Sequence, residues 1–71
     1  MIISPQSRQL LAAGNHIILW NPDLANLYAV GQPELIEGIA LVVTAAAITH
    51  VGGQDWQRLT VRATQHAGGV L

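Results

Sequence analysis

Residues 57–64 alternate between polar and apolar side chains, strictly so from Arg58 onward. The apolar positions are Leu59, Val61 and Ala63, and a polar residue stands on either side of each. Successive side chains of a β-strand point to opposite faces, so this pattern predicts a strand with one buried face and one solvated face.

Residues 31–34 carry a turn signal, and the segment from there to Val51 allows two interpretations. Pro33 with two nearby glutamates at the start, and two glycines at the end, are typical of a long helix, and the alanines in between favour it. The many β-branched residues within 39–51 instead favour a strand of about a dozen residues.

A hairpin joining residues 39–51 to residues 56–65 sorts these side chains onto two faces. With residues 52–55 as a four-residue loop, Val51 lies opposite Trp56. One face of this hairpin is apolar, and its members are Val42, Ala46, Ile48, Leu59 and Val61. We therefore predict the hairpin, with a long helix over residues 33–51 as the alternative.

The N-terminal residues carry the signals of a short helix. Ser4 is a preferred helix cap, Pro5 fits the first helical position, and Gly14 favours the left-handed conformation that ends a helix. Only the second half, with Leu10 and Leu11, is apolar enough to pack against a core. We expect a single surface helix of about two turns.

A β-branched and aromatic run at residues 16–20 predicts a buried strand, with Trp20 as a central plug of the core. The Asn-Pro-Asp sequence at residues 21–23 marks a turn. For residues 24–30 the spacing of apolar side chains favours a helical turn leading into an extended end, although a strand paired with residues 16–20 also fits.

These elements predict a small α+β fold in a single domain over residues 1–71. It has a short N-terminal helix and an antiparallel sheet that includes the C-terminal hairpin. The alternative is a mostly helical domain. Two adjacent glycines and the loss of pattern after His66 predict that residues 67–71 form a flexible tail.

Charged side chains are unusually scarce. The 71 residues include three arginines, four carboxylates and no lysine, so 10% are charged and 51% are hydrophobic, whereas soluble domains average about 25% charged. A chain of this size buries only about 60% of the surface that it exposes when unfolded, and without cysteine it has no disulfides. We expect other protein subunits, most simply copies of the same chain, to cover part of its surface.

Catalysis, metal binding and nucleic-acid binding have little support in the sequence. Three scattered arginines in a chain of net charge −1 form no basic stripe for phosphates. The spacing of His16, His50 and His66 matches no metal-ligand motif, and Glu34 and Glu37 lack the surroundings that paired-carboxylate catalysis requires. We therefore expect no enzyme activity, no catalytic or metal site, and no cofactor.

The predicted hairpin places Trp56, Arg58 and Arg62 together on its polar face. Tryptophan and arginine are enriched at the hot spots of protein interfaces. We predict that these three residues form an interface, and we include Tyr28 as a further aromatic residue. The alternative is that Trp56 folds over the hairpin and that the arginines are merely solvated.

The sequence therefore predicts a non-enzymatic structural or interaction protein that acts as a repeated subunit of a larger assembly, such as the coat, decoration or connector of a virion, or a ring. One alternative is a small membrane-associated subunit with an apolar helix around residues 38–51, although this stretch is shorter than the roughly 20 residues that a span needs. Another is a small ligand-binding regulatory domain. The N-terminus has no signal-peptide pattern, which favours a cytoplasmic or particle-associated location.

Overall fold

One short helix and four antiparallel strands make up residues 1–64, the part of the chain that the computed structural model describes. The elements are α1 (Pro5–Ala12), β1 (Ile17–Asn21), β2 (Pro33–Ile36), β3 (Ile39–Val51) and β4 (Gln54–Ala63). The strands form one curled sheet in the order β1-β4-β3-β2. At this level the predicted small α+β fold is confirmed, with sheet predominating. The tail predicted at residues 67–71 lies outside the described residues.

Helix α1 begins and ends as its sequence predicts. The Ser4 hydroxyl accepts a hydrogen bond of 3.1 Å from the Ser7 backbone N–H, and Pro5 occupies the first turn. After the helix, Gly14 has a φ of 88°, which glycine adopts without steric cost. Leu11 is buried in the core while Leu10 is exposed, so the C-terminal half packs through one leucine.

Strands β3 and β4 form the predicted hairpin, and the long helix over residues 33–51 is wrong. The predicted register is also wrong, because the loop has only two residues, Gly52 and Gly53, and Val51 pairs with Gln54. Both glycines have positive φ, 61° and 79°, as the type I′ turn of a tight hairpin requires. The error amounts to two positions, so the side chains near the turn keep their predicted faces.

A β-bulge at Thr44 changes which side chains of β3 point into the core. Between Val43 and Ala45 the pairing with β4 shifts by one position, which leaves Thr44 as an extra residue on β3. The first part of the strand therefore presents Leu41 and Val43 to the core. The placement of Val42 on the apolar face is wrong, because the bulge turns it to the other face.

Strand β1 alternates between buried and exposed side chains and is not buried throughout as predicted. Ile17, Leu19 and Asn21 are buried, whereas Ile18 and Trp20 are exposed. Trp20 is 41% exposed, so its prediction as a plug of the core is wrong. When a sheet is covered on one face only, the side chains of a strand are alternately buried and exposed. A continuous apolar run does not show which of its residues lie on the buried face.

Strand β2 occupies residues within the predicted turn and was not foreseen. It pairs with β3 across a second two-residue loop, Glu37-Gly38, in which φ is 50° and 79°. The helical turn predicted within residues 24–30 is absent. That region instead contains irregular backbone and a turn closed by a 3.2 Å hydrogen bond from the Asn26 N–H to the Asp23 carbonyl.

The Glu37 carboxylate connects this second loop to the N-terminal segment. It accepts hydrogen bonds from the Ile3 backbone N–H at 2.6 Å and from the Arg8 guanidinium at 3.2 Å. Ile3 is itself buried in the core. These contacts hold the start of the chain and helix α1 close to the sheet.

The core lies on one side of the sheet, which we call the inner face. Its nine buried apolar residues are Ile3, Leu11, Ile17, Leu19, Leu41, Val43, Leu59, Val61 and Ala63. Two polar residues are buried with them, Asn21 and Gln57. The Gln57 side chain hydrogen-bonds both the N–H and the carbonyl of Tyr28, which holds the loop between β1 and β2 against β4.

The hairpin of β3 and β4 extends beyond its neighbours. The pairing of β1 with β4 ends at Gln57, and the pairing of β2 with β3 ends at Val42. Between these positions and the hairpin turn, β3 and β4 have no strand beside them other than each other, within residues 1–64. The longest dimension of the molecule is 44 Å, which is close to the length of the 13-residue strand β3 at about 3.3 Å per residue. The tip of the hairpin thus projects from the sheet.

Candidate interaction surface

Most of the predicted interface residues lie together on the side of the sheet opposite the core, which we call the outer face. Trp56, Arg58 and Arg62 occupy alternate positions of β4, and β1 adds Ile18 and Trp20. Helix α1 packs on the inner side through Leu11, so it leaves these side chains exposed or half-buried.

Trp20 and Trp56 contact each other across the two strands. Their ring centroids are 6.5 Å apart and their planes meet at 78°, an edge-to-face arrangement. The pairing register explains the contact, because Trp20 lies opposite Arg58, and Trp56 is two residues from Arg58 on the same face. An aromatic pair of this kind contributes about 0.5–1.5 kcal/mol beyond its burial. Each ring therefore fixes the orientation of the other.

An open apolar groove of about 550 Å³ runs beside the tryptophan pair. It is lined by Trp20, Trp56, Val51, Gly52 and Gln54, so the tight turn of the hairpin forms one end of it. Small-molecule sites are usually deeper and contain several converging polar groups. Gln54 is the one polar side chain in this lining, so the groove suits an apolar side chain of another protein better than a polar metabolite.

Arg58 and Arg62 give the outer face a positive charge that no neighbouring carboxylate neutralises. Within residues 1–64 neither guanidinium lies within 4.0 Å of a carboxylate. Arg62 donates one long hydrogen bond, 3.3 Å, to the carbonyl of Ala63. Both side chains are thus available to a partner.

The four side-chain carboxylates, all of which lie within residues 1–64, are engaged elsewhere. Asp23 accepts from the side chain of Asn26 and the N–H of Ala25, Glu34 accepts from Gln32, and Glu37 accepts from Arg8 and Ile3. Asp55 lies 2.7 Å from the Nδ1 atom of His50 across the hairpin. The positive outer face therefore finds no negative counterpart within the described part of its own chain.

Tyr28 lies apart from the other predicted interface residues. It is half-buried and packs against the core, and its backbone is bonded to the buried Gln57 side chain. Trp20 was not among the predicted interface residues, yet it lies on the outer face beside Trp56. Residues 17–20 are all apolar, so the sequence does not show which of them face the core. Only the pairing of β1 with β4 places Ile17 and Leu19 inside and Ile18 and Trp20 outside.

The histidines that the structure describes form no cluster. His16 precedes β1, and His50 is paired with Asp55 near the tip of the hairpin. Within residues 1–64 no three His, Asp or Glu side chains lie close enough together to hold a metal ion. His66 is outside the described residues.

The apolar segment at residues 38–51 is a turn and a strand, so the apolar helix of the membrane alternative is wrong. Across residues 1–64 no helix has the length and apolar character to cross a membrane. Comparison with protein-family models, curated proteins and solved structures found no match to this chain.

Proposed function

We propose that this chain is a non-enzymatic structural subunit that is repeated within a larger assembly, and that a neighbouring subunit covers its outer face. The observation that carries this proposal is the tryptophan pair, with Trp20 exposed and Trp56 half-buried, beside Arg58 and Arg62. Neither arginine has a carboxylate partner within residues 1–64. Tryptophan and arginine are the residue types that contribute most to binding energy in protein interfaces.

The scarcity of charge supports the same proposal. Charged side chains normally keep the surfaces of small monomers solvated and apart, and only 10% of these residues are charged. Exposed apolar side chains on the outer face include Ile18, Trp20 and Val51. A subunit that buries them gains hydrophobic free energy of about 25 cal/mol for each Å² removed from water.

The chemistry of the face indicates what a neighbour presents to it. The groove accommodates an apolar or aromatic side chain, and the free arginines suit a carboxylate on its rim. Such a rim contact sets the orientation of the neighbour more than it adds affinity. The small fold therefore presents a binding surface built on the strands of its curled sheet.

Changing both tryptophans to serine, Trp20→Ser with Trp56→Ser, is expected to lower the molar mass of the assembly, because it removes the aromatic wall of the groove. The mass is measured by size-exclusion chromatography with light scattering. Circular dichroism tests that the sheet is retained. A folded double variant with the mass of the unchanged protein would overturn the assignment of the outer face.

Leu27→Ser is the matched control, since Leu27 is also exposed and apolar but lies in the loop between β1 and β2. We expect it to leave the molar mass unchanged. Arg58→Gln provides a second readout: we expect it to weaken assembly mainly at low salt, because rim charges are screened at high ionic strength.

A further inference from the structure

The side of β3 that faces away from β4 is only partly covered. Strand β2 pairs with residues 39–42, and two hydrogen bonds join Val43 to the backbone of Gly31 and Gln32. From Ala45 to Val51 no strand within residues 1–64 lies along that side. We call these seven residues the free edge.

The free edge lacks the features that usually protect exposed strands. Short length, charged side chains and proline prevent the edges of sheets from pairing with other chains. Strand β1 has five residues and is followed by Pro22, and β2 has four residues, including Pro33 and Glu34. The free edge is longer than either and contains no proline, lysine, arginine or carboxylate.

We propose that the free edge pairs antiparallel with the free edge of a second copy of this chain. This inference rests on the proposed function as a repeated subunit and names one contact between the copies. Full overlap of the two segments places Ile48 of one copy opposite Ile48 of the other, and Ala45 opposite Val51. Two four-stranded sheets then join into one continuous sheet.

Three properties favour a second copy as the occupant. The free edge is bounded by β2 at one end and by the Gly52-Gly53 turn at the other, so two identical segments match in length. No formally charged side chain of one copy opposes a like charge of the other, a juxtaposition that would be destabilising. The alanine side chains of residues 45–47 project above and below the sheet, so they do not obstruct pairing along its edge.

The arrangement also connects the two outer faces. Antiparallel pairing around a two-fold axis perpendicular to the sheet keeps both outer faces on the same side. The resulting dimer presents two tryptophan pairs and four arginines, Arg58 and Arg62 of each copy, on one surface. A dimer of this kind is a bivalent building block for the assembly.

Charge reversal at Ile48 tests the pairing. Ile48 is 55% exposed in the single chain, so Ile48→Lys and Ile48→Glu are expected to fold. Each variant alone places like charges opposite each other, and we expect its dimer dissociation constant to rise about tenfold or more, whereas an equal mixture of the two regains dimerisation. Leu35→Lys and Leu35→Glu, on β2 at a residue that is 71% exposed, are expected to change nothing.

A cysteine at the same position separates this proposal from the role of the outer face. Directly opposed residues of antiparallel strands have Cα atoms about 4.5–5.5 Å apart, which suits a disulfide. In this cysteine-free chain, Ile48→Cys is expected to form a covalent dimer on mild oxidation, even when Trp20 and Trp56 are both changed to serine, whereas Leu35→Cys is not.

Two results would overturn the inference. One is an Ile48→Cys chain that stays monomeric on oxidation while the unchanged protein assembles. The other is a loss of dimers in both charged variants without recovery in their mixture, which would assign the free edge to a different contact, such as an extended segment of another protein. Neither result bears on the tryptophan variants, so the two proposals fail separately.

Discussion

Replacing Leu41 by alanine is expected to lower the free energy of unfolding by about 2–5 kcal/mol, the range for a leucine removed from a packed core. Leu41 is fully buried and lies in β3 between Glu34 of β2 and Ala63 of β4. A domain of 71 residues has a total stability of roughly 4–10 kcal/mol. The substitution therefore removes a large share of the stability and moves the unfolding midpoint to a clearly lower urea concentration.

Urea unfolding followed by circular dichroism measures this loss, at one fixed protein concentration because assembly also contributes to apparent stability. Leu35→Ala is the matched control, since Leu35 lies on the neighbouring strand β2 but is largely exposed. We expect the control to change the unfolding free energy by less than about 0.5 kcal/mol. Equal losses in the two variants would contradict the bulge that turns Leu41 inward.

Replacing Gln57 by alanine is expected to cost about 2–4 kcal/mol, because it leaves the part-buried N–H and carbonyl of Tyr28 without their partner. Gln57 is 4% exposed. Its side-chain oxygen accepts from Asn21 at 3.1 Å and from the Tyr28 N–H at 2.9 Å, and its amide donates to the Tyr28 carbonyl at 2.7 Å. The loop between β1 and β2 thus loses the two hydrogen bonds that hold Tyr28 to β4, while the bonds of Gly31 and Gln32 to Val43 of β3 remain.

The loss is measured by urea unfolding, and amide hydrogen exchange at Tyr28 reports the loop directly. We expect exchange at this amide to accelerate even under native conditions, since the loop opens before the sheet does. Gln54→Ala, an exposed position at the start of the same strand, is the control and is expected to be nearly neutral. Unchanged exchange at Tyr28 in the Gln57 variant would contradict this role.

The alternating pattern of β4 allowed the sheet to be predicted with the correct faces near the hairpin turn. Leu59, Val61 and Ala63 are all buried, and Arg58 and Arg62 are exposed on the other side. The pattern survived an error of two residues in the register because side chains repeat every two positions. Gln57 has the same phase as Leu59 and is buried with it.

The remaining features depend on contacts that alternation does not encode. The bulge at Thr44 adds one residue to β3, and only the pairing with β4 shows where the phase changes. Strand β2 is four residues long and begins with proline, so its local propensity favours a turn. Trp20 was misplaced because an apolar residue in a strand next to a turn fits either face until its neighbours are known.

The residues of the outer face were predicted in part for the same reason. Trp56, Arg58 and Arg62 follow from the phase of one strand, whereas the contact between Trp20 and Trp56 requires the pairing of β1 with β4. Tyr28 was included for its residue type alone, and the structure places it against the core. Whether any of these residues contacts another subunit is the prediction that the tryptophan variants test.

The central claim is that this chain works as one of several copies in an assembly, and its molar mass in solution tests that claim most directly. Light scattering on the purified, unchanged protein over a range of concentrations is expected to give a mass that is a multiple of 7.5 kDa. A stable, monodisperse species of 7.5 kDa at every concentration would contradict the claim, because such a chain would need no partner to cover its outer face.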